Sequence, residues 1–424
     1  MQANSCCLSE KQFTFKGTFA IIKKNQTQMI LETIKAKAEA YYSDVQEIRH
    51  HIHSHPELSF KEYNTSAYVA AKLTEFGIPD FRSIAGTGIV ALIEGNNPEK
   101  RCIALRSDLD ALPIKEENTA SYCSKNDGVM HACGHDVHTS CLLGAARILH
   151  DLRHEWEGTV KLIFQPGEEK HPGGASIMIA EGVLENPKPD AIFALHVYPH
   201  LPAGTTGFRA GQYMASADEV YITIEGKGGH AALPHQTIDP IAISALVITG
   251  LQQVIARKCN PLIPSVLTFG SINGGFATNV IPDKVEILGT FRAMDEKWRY
   301  EAHKWIKEFT EQTCAAYGAK ATVEIPVGYP MLFNDPALTR NATKWAEDYV
   351  GADNVHELDM RMAAEDFSFY TLHVPGCFFR IGTNKDDKEF LAPVHNARFD
   401  INEESMKTGM GMMAWCAVQA LQNG

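Results

Sequence analysis

The sequence predicts an α/β fold in which a ferredoxin-like domain is inserted into a larger domain. Short apolar segments alternate with amphipathic helical patterns in the first half of the chain, which indicates a sheet buried on both faces. Charged side chains directly follow several of these segments, at the strand ends where open α/β sheets build their sites. Beyond residue 213 the order of elements becomes β-α-β-β-α-β, which is typical of the ferredoxin-like unit.

The first part of the larger domain is predicted to span 29–213. Apolar residues recur every three or four positions from Met29 to His55, which predicts an amphipathic helix that ends before Pro56. A second helix is predicted near 64–76, and a third after His135. Predicted strands cover 89–93, 102–105, 160–164 and 191–195. Residues 1–28 lack the continuous apolar region of a secretory signal, and we interpret them as an extension of unknown role.

The inserted domain is predicted to span 214–328, and 329–424 to complete the larger domain. In the insertion the predicted strands are 219–225, 265–271, 285–292 and 321–327, and the predicted helices are 238–257 and 296–317. After it, a helix is predicted at 336–350, a strand near 377–381 and a closing helix from Glu403.

Composition restricts the partners of this protein. The 424 residues carry 51 acidic and 39 basic side chains, a net charge of −12, which argues against nucleic acid and anionic membrane surfaces. Ten cysteines are scattered without a CxxC pair, which indicates free thiols in a reducing compartment, so we expect a cytoplasmic protein. No apolar run of membrane-spanning length is evident.

The motif with the most chemistry is Met130-His131-Ala132-Cys133-Gly134-His135-Asp136-Val137-His138. An apolar helical pattern follows it, so Cys133 and His135 are predicted at a helix N-terminus, where the helix dipole favours a thiolate. Together they offer two ligands to a borderline metal such as Zn²⁺ or Mn²⁺. The alternative is a polar helix cap with an incidental cysteine.

Further candidate ligands follow other predicted strands. Glu168 and Glu169 are adjacent carboxylates after the strand at 160–164, where one could bind metal while the other, with a raised pKa, accepts a proton. Taken alone, this pair is more typical of a solvated acidic turn, and single histidines are usually structural. The set that could hold two metal ions sharing a ligand is Cys133, His135, Glu169, His196 and His395.

Two other polar groups receive supporting roles. Asp108 and Asp110 lie on one face of an extended segment, and we expect them to orient a ligating imidazole, with a structural turn as the alternative. Four histidines crowd the end of the first helix, at positions 50, 51, 53 and 55. Cations are favoured at a helix C-terminus by the dipole alone, so we interpret this group as structural.

From about Ile48 to the C-terminus, these motifs resemble those of a family of metalloamidohydrolases. The family includes hippurate hydrolase, aminoacylase, bacterial N-acyl-amino-acid amidohydrolases, plant auxin-conjugate hydrolases and, more distantly, carboxypeptidase G-type enzymes. The matching segments are 53–59, 106–113, 130–138, 165–169, 226–230, 279–283, 289–292, 365–368 and 395–396. Ser107 stands where alanine is usual, and 1–28 have no recognised counterpart.

The resemblance implies a zinc-peptidase-like catalytic α/β domain and a ferredoxin-like lid that often dimerises. It places the five residues above on the family's ligands to two divalent metal ions, Mn²⁺ or Zn²⁺, and Glu168 on its general base. It places His230, which could stabilise an oxyanion, and Asn279 and Arg292, which could hold a substrate carboxylate, in the lid. The family's lid histidine can reach the site of a partner subunit, so a homodimer is expected.

The resulting functional hypothesis is metal-dependent hydrolysis of the amide bond of N-acyl amino acids, hippurate-like, N-acetyl or auxin-conjugate-like. A metal-activated water would attack the carbonyl, with Glu168 as the base. Two alternatives remain at this point. One is a dipeptidase or carboxypeptidase with the same dinuclear site, and the other is a non-catalytic metal-dependent binding protein on this scaffold.

Overall fold

A computed structural model describes residues 25–384 and 392–423. The helices are α1 (25–40), α2 (Tyr42–Ser54), α3 (Tyr63–Glu75), α4 (His135–Asp151), α5 (Gly174–Ala180), α6 (Pro240–Lys258), α7 (Glu296–Ala316), α8 (Pro336–Val350), α9 (Ser368–Thr371) and α10 (Ser405–Gln422). The strands are β1 (Phe81–Ile84), β2 (Gly88–Glu94), β3 (Cys102–Asp108), β4 (Thr159–Gln165), β5 (Ala191–Pro202), β6 (Thr206–Phe208), β7 (Gly211–Met214), β8 (Asp218–Glu225), β9 (Gly229–His230), β10 (Ser265–Asn273), β11 (Val280–Ile281), β12 (Lys284–Ala293), β13 (Lys320–Glu324), β14 (Leu332–Asn334), β15 (Val355–Glu357) and β16 (Gly376–Asn384).

A mixed sheet of eight strands, in the order β1-β2-β4-β3-β5-β16-β6-β15, organises most of the chain. Its centre is parallel, because β3 pairs in parallel with β4 and β5, and β5 with β16. Alternate residues of β3 enter two separate apolar cores, Ile103 and Leu105 on one face and Ala104 on the other. The prediction of an α/β sheet buried on both faces is therefore confirmed.

The N-terminal helix differs from the prediction in two respects. Tyr41 interrupts it, so that α1 and α2 are separate helices where one was expected. Helical structure also begins at residue 25, within the segment interpreted as an extension, while residues 1–24 lie outside the described part. The predicted end holds, because α2 stops at Ser54, shortly before Pro56.

A second, four-stranded antiparallel sheet has the order β10-β12-β8-β13. The chain passes through it as β8-α6-β10-β12-α7-β13, which is the predicted succession of elements. Strand β8 alternates as expected of a half-covered sheet, since Val220, Ile222 and Ile224 are buried in an apolar core that also contains residues of α6 and α7.

Helix α6 is long and apolar enough to cross a membrane by length and composition alone, contrary to the expectation of no such run. Four of its residues, Ile243, Val247, Leu251 and Val254, are buried in the core of the second sheet. This packing accounts for part of its apolar character, since core helices meet the same criterion.

Candidate metal centre

The predicted ligands converge because the central strands are parallel. Glu168 and Glu169 follow β4, His196 lies in β5, and Cys133 and His135 flank the start of α4. Neighbouring parallel strands bring their carboxyl ends to the same edge of a sheet, so residues far apart in sequence meet there.

Gly134 allows Cys133 and His135 to face this edge. Its φ of +87° lies in the left-handed region, which disfavours residues with a side chain. A Cβ at this position would lie 2.6 Å from Cγ2 of Val197, the neighbour of His196. A glycine is therefore required both by the backbone conformation and by the close approach of β5.

Two groups of ligand-type atoms form around Cys133. Cys133, His135 and His196 have candidate ligand atoms within 4.8 Å of one another, and so do Cys133, Glu169 and His395. The Cys133 Sγ lies 3.5 Å from His196 Nε2, and His395 Nε2 lies 3.0 Å from Glu169 Oε1. The arrangement has the form of two three-residue sites that share one sulfur ligand.

The hydrogen bonds of the two buried imidazoles fit metal ligation. His135 Nδ1 donates to the Asp110 carbonyl oxygen at 2.8 Å, and His196 Nδ1 donates to the Val197 carbonyl oxygen at 2.8 Å. In its neutral form, each ring therefore keeps the lone pair of Nε2 for a ligand. The buried Nε2 of His135 has no hydrogen-bond partner among the described residues, which leaves it available to an ion.

The state of the Cys133 thiol differs from the expectation. Burial raises its pKa, and the charge of Glu169 raises it further, so the helix terminus does not by itself produce a thiolate. Deprotonation would instead accompany cation binding. The eight cysteines in the described part of the chain are free thiols, as predicted.

Glu168 is buried beside the two groups and is held on several sides. Its backbone N–H donates to Asp110 Oδ1 at 3.1 Å, and its carbonyl oxygen accepts a hydrogen bond of 2.6 Å from Tyr329 Oη. Burial, followed by the charges of Glu365 and Glu169, raises the pKa of the Glu168 carboxyl well above its ordinary value. A carboxylate in this setting readily accepts a proton.

Asp110 and Asp108 each contact a histidine, but of the two only Asp110 is hydrogen-bonded to a proposed ligand. Asp110 contacts His135 through its carbonyl oxygen and, at 3.2 Å, its Oδ1. Asp108 Oδ1 instead accepts a hydrogen bond of 2.7 Å from His138 Nδ1, and His138 Nε2 accepts from the Val197 N–H at 3.0 Å. Asp110 thus contacts the candidate ligand His135 directly. Asp108 instead contacts His138, which in turn binds the backbone of Val197.

The structure adds neighbours to which sequence reasoning assigned no role. Glu365 and Asp366 lie in one of the matching motifs and, with Arg106, form a buried charged network beside Glu168. Arg361 and Arg380 line a cavity together with Cys133 and the other candidate site residues. The available signal was an arginine inside the otherwise apolar segment Cys377-Phe378-Phe379-Arg380-Ile381.

The predicted lid residues separate into two groups. Arg292 lines a cavity of about 580 Å³ together with Glu168, Glu169 and other residues. His230 and Asn279 are exposed neighbours on the small β9–β11 sheet, where the Ala231 N–H donates to the Asn279 carbonyl oxygen at 3.1 Å. Neither lines a described cavity around the centre, so within one subunit only Arg292 is brought to it.

The four histidines of α2 and its end do not converge on one point. His50 Nε2 lies 2.8 Å from a Glu403 carboxylate oxygen, and His51 stacks on Tyr68. His53 lies 2.8 Å from a carboxylate oxygen of Asp136. These separate partners agree with the structural interpretation.

This chain is similar to several known proteins. The model of Peptidase family M20/M25/M40 matches residues 104–418. The N-acetyl-L-cysteine deacetylase of Bacillus subtilis (strain 168) is 40% identical over 85% of this chain and 84% of its own length. The IAA-amino acid hydrolase ILR1-like 4 of Arabidopsis thaliana is 39% identical over 91% and 88%. The Bacillus subtilis YXEP protein, described as a dinuclear metal-binding peptidase of this family, has a TM-score of 0.77 and 33% identity over 91% of this chain and all of its own.

Proposed function

The chain belongs to peptidase family M20/M25/M40 and is an amidohydrolase, and we propose that it hydrolyses the amide bond of N-acyl amino acids. The proposed products are a carboxylic acid and a free amino acid. The observation that carries the proposal is the pair of ligand groups that share Cys133, with Glu168 beside both. Nothing in the comparisons favours a non-catalytic binding protein.

The proposed ligands to two divalent ions, Mn²⁺ or Zn²⁺, are Cys133, His135, Glu169, His196 and His395. Thiolate suits Zn²⁺, while the carboxylate and imidazoles also suit Mn²⁺. Bound there, the ions would supply Lewis acidity towards the amide carbonyl and lower the pKa of water.

Glu168 is proposed to perform the proton transfers. Its raised pKa allows it to take a proton from the attacking water and to return that proton to the leaving amine. Its backbone is held by Asp110 and Tyr329, so the carboxyl keeps its place through both steps. Arg292, on the cavity wall, is proposed to hold the α-carboxylate of the amino acid.

The domain organisation is part of the proposal. A catalytic domain of 29–213 and 329–424 carries the centre, and 214–328 form the inserted lid. The antiparallel order β10-β12-β8-β13 supports a ferredoxin-like description of the lid.

We further propose a homodimer through the lid. Strand β10 is an edge strand with exposed Ile272, and helix α6 exposes Ile241 and Leu246. Exposed apolar side chains beside an unpaired edge favour association of two copies. In such a dimer the exposed His230 and Asn279 could contribute to the metal centre of the partner subunit. Light scattering coupled to gel filtration tests the assembly, and a monomer at micromolar concentration would contradict it.

The test of the function combines metal analysis with a substrate panel of hippurate, N-acetyl amino acids and dipeptides. We expect two metal ions per chain and turnover of N-acyl amino acids in preference to dipeptides. Glu168→Ala should keep its metal and lose about 10²- to 10⁴-fold in kcat. Near-normal turnover of this variant would show that the base is another group, and preference for dipeptides would favour a peptidase.

A further inference from the structure

Two arginines occupy a cavity wall beside the centre and have no assigned role. Arg361 and Arg380 line a cavity of about 330 Å³, which Cys133 and His196 also line. Arg380 belongs to the buried strand β16 and is 3% exposed, and Arg361 is half-buried. Both charges are therefore largely removed from water.

Neither guanidinium has a carboxylate oxygen within 4.0 Å in the described part of the chain. Arg380 donates from Nε to Tyr213 Oη at 2.9 Å and from Nη2 to Met214 Sδ at 3.3 Å, and among the described side chains nothing accepts from its Nη1. The Arg361 guanidinium lies 5.0 Å from the centre of the Tyr198 ring. These contacts are neutral, so neither positive charge is paired directly with a carboxylate.

The other strongly buried arginines of this protein are arranged differently. Arg49, Arg106 and Arg299 each contact at least two carboxylates. Burying a charge without a partner is costly, and these three arginines avoid that cost. Arg361 and Arg380 also repel each other: the pKa of Arg361 is lowered first by burial and then by the charge of Arg380. An anion between the two side chains would remove both penalties.

The cavity lined by Arg361 and Arg380 adjoins the cavity that is lined by Arg292. This cavity and the one lined by Arg292 share Glu168, Glu169 and His395 on their walls. Arg292 lines one cavity, and the arginine pair lines the other. A substrate whose scissile amide lies at the shared residues would extend towards Arg292 at one end and towards Arg361 and Arg380 at the other.

We propose that Arg361 and Arg380 bind a carboxylate on the acyl group of the substrate. The substrate class is then an N-acyl amino acid whose acyl group derives from a dicarboxylic acid, so that it carries an anion at each end. This inference rests on the proposed function, which assigns the amino-acid carboxylate to Arg292. Guanidinium groups suit this ligand because they bind carboxylates through paired, charge-assisted hydrogen bonds.

The test compares kcat/KM for N-succinyl- and N-glutaryl-L-alanine with kcat/KM for N-butanoyl- and N-pentanoyl-L-alanine, which lack the terminal carboxylate. The metal-loaded enzyme should prefer the charged acyl groups by about 10- to 100-fold. Arg361→Met and Arg380→Met should each reduce this ratio at least tenfold, and Arg380→Lys should restore part of it. Arg257→Met, at an exposed position of the lid, is the matched control and should keep the wild-type ratio.

The outcomes separate the two proposals. If uncharged N-acyl amino acids are cleaved and both arginine variants keep the wild-type ratio, the subsite is overturned and the amidohydrolase function stands. If no N-acyl amino acid is cleaved by metal-loaded enzyme, both are overturned. Should Arg380→Met fail to fold, the half-buried Arg361→Met decides the question, since a ratio unchanged in that variant contradicts the subsite.

Discussion

Replacing Gly134 with alanine should damage both the stability and the metal centre of this protein. The residue has a φ of +87°, and an added Cβ would meet Val197 Cγ2 at 2.6 Å and Cγ1 at 3.1 Å. Val197 follows His196 and accepts its Nδ1 hydrogen bond. The substitution should therefore displace Val197 and with it the proposed ligand His196. It should also strain the backbone between the proposed ligands Cys133 and His135.

The expected loss has two parts that the structure allows to be separated. A left-handed backbone conformation costs about 1–2 kcal/mol for a residue with a Cβ, and overpacking adds about 1–3 kcal/mol. Gly204 has a φ of +88° with no atom within 4 Å of an added Cβ. Gly204→Ala should therefore show the backbone cost alone, and Gly134→Ala a total of about 2–5 kcal/mol.

Urea unfolding of both variants, with metal content and kcat/KM measured in parallel, is the assay. Displacement of the ligands by about 1 Å should reduce kcat/KM of Gly134→Ala roughly 100-fold, whereas Gly204→Ala should retain activity. Adding Val197→Ala to Gly134→Ala should recover part of the steric loss and none of the backbone cost. Equal losses in the two single variants would refute the claim that Val197 excludes a side chain at this position.

Three further perturbations test other parts of the molecule. Cys133→Ser should weaken metal binding in calorimetry, and mass spectrometry should find no acyl-enzyme; an acyl adduct on Cys133 would make it a nucleophile. Asp110→Asn should weaken metal binding about 10- to 100-fold, because Asp110 orients His135; unchanged affinity would contradict this. Burial opposes ionisation of Asp218, but hydrogen bonds from Arg299 and His303 outweigh it and lower its pKa to about 2. Its charge should therefore stabilise the fold by about 2 kcal/mol above pH 4, and this contribution should fade as the pH falls towards 2. Urea unfolding should show the deficit of Asp218→Asn shrinking over that range, and a constant deficit would count against the assignment.

Local patterns in the sequence determined the elements and much of the chemistry of this protein. Apolar runs and helical spacing predicted the central strands and the succession β-α-β-β-α-β, because burial of one face leaves a periodic record in the chain. The motif around Gly134 predicted a helix start with a thiol and an imidazole beside it, which the structure contains. The break of the first helix at Tyr41 was missed, since the apolar spacing continues through it.

Only the tertiary structure decided which side chains meet. Parallel pairing of β3, β4 and β5 brings Glu169 and His196 to Cys133 across long stretches of sequence. Burial raised the pKa of the Cys133 thiol, which the helix terminus alone was expected to lower, because desolvation depends on everything packed around the sulfur. Arg361 and Arg380 were passed over for the same reason. The apolar segment around Arg380 indicates that this arginine is buried, but whether a buried charge has a carboxylate partner depends on the folded surroundings.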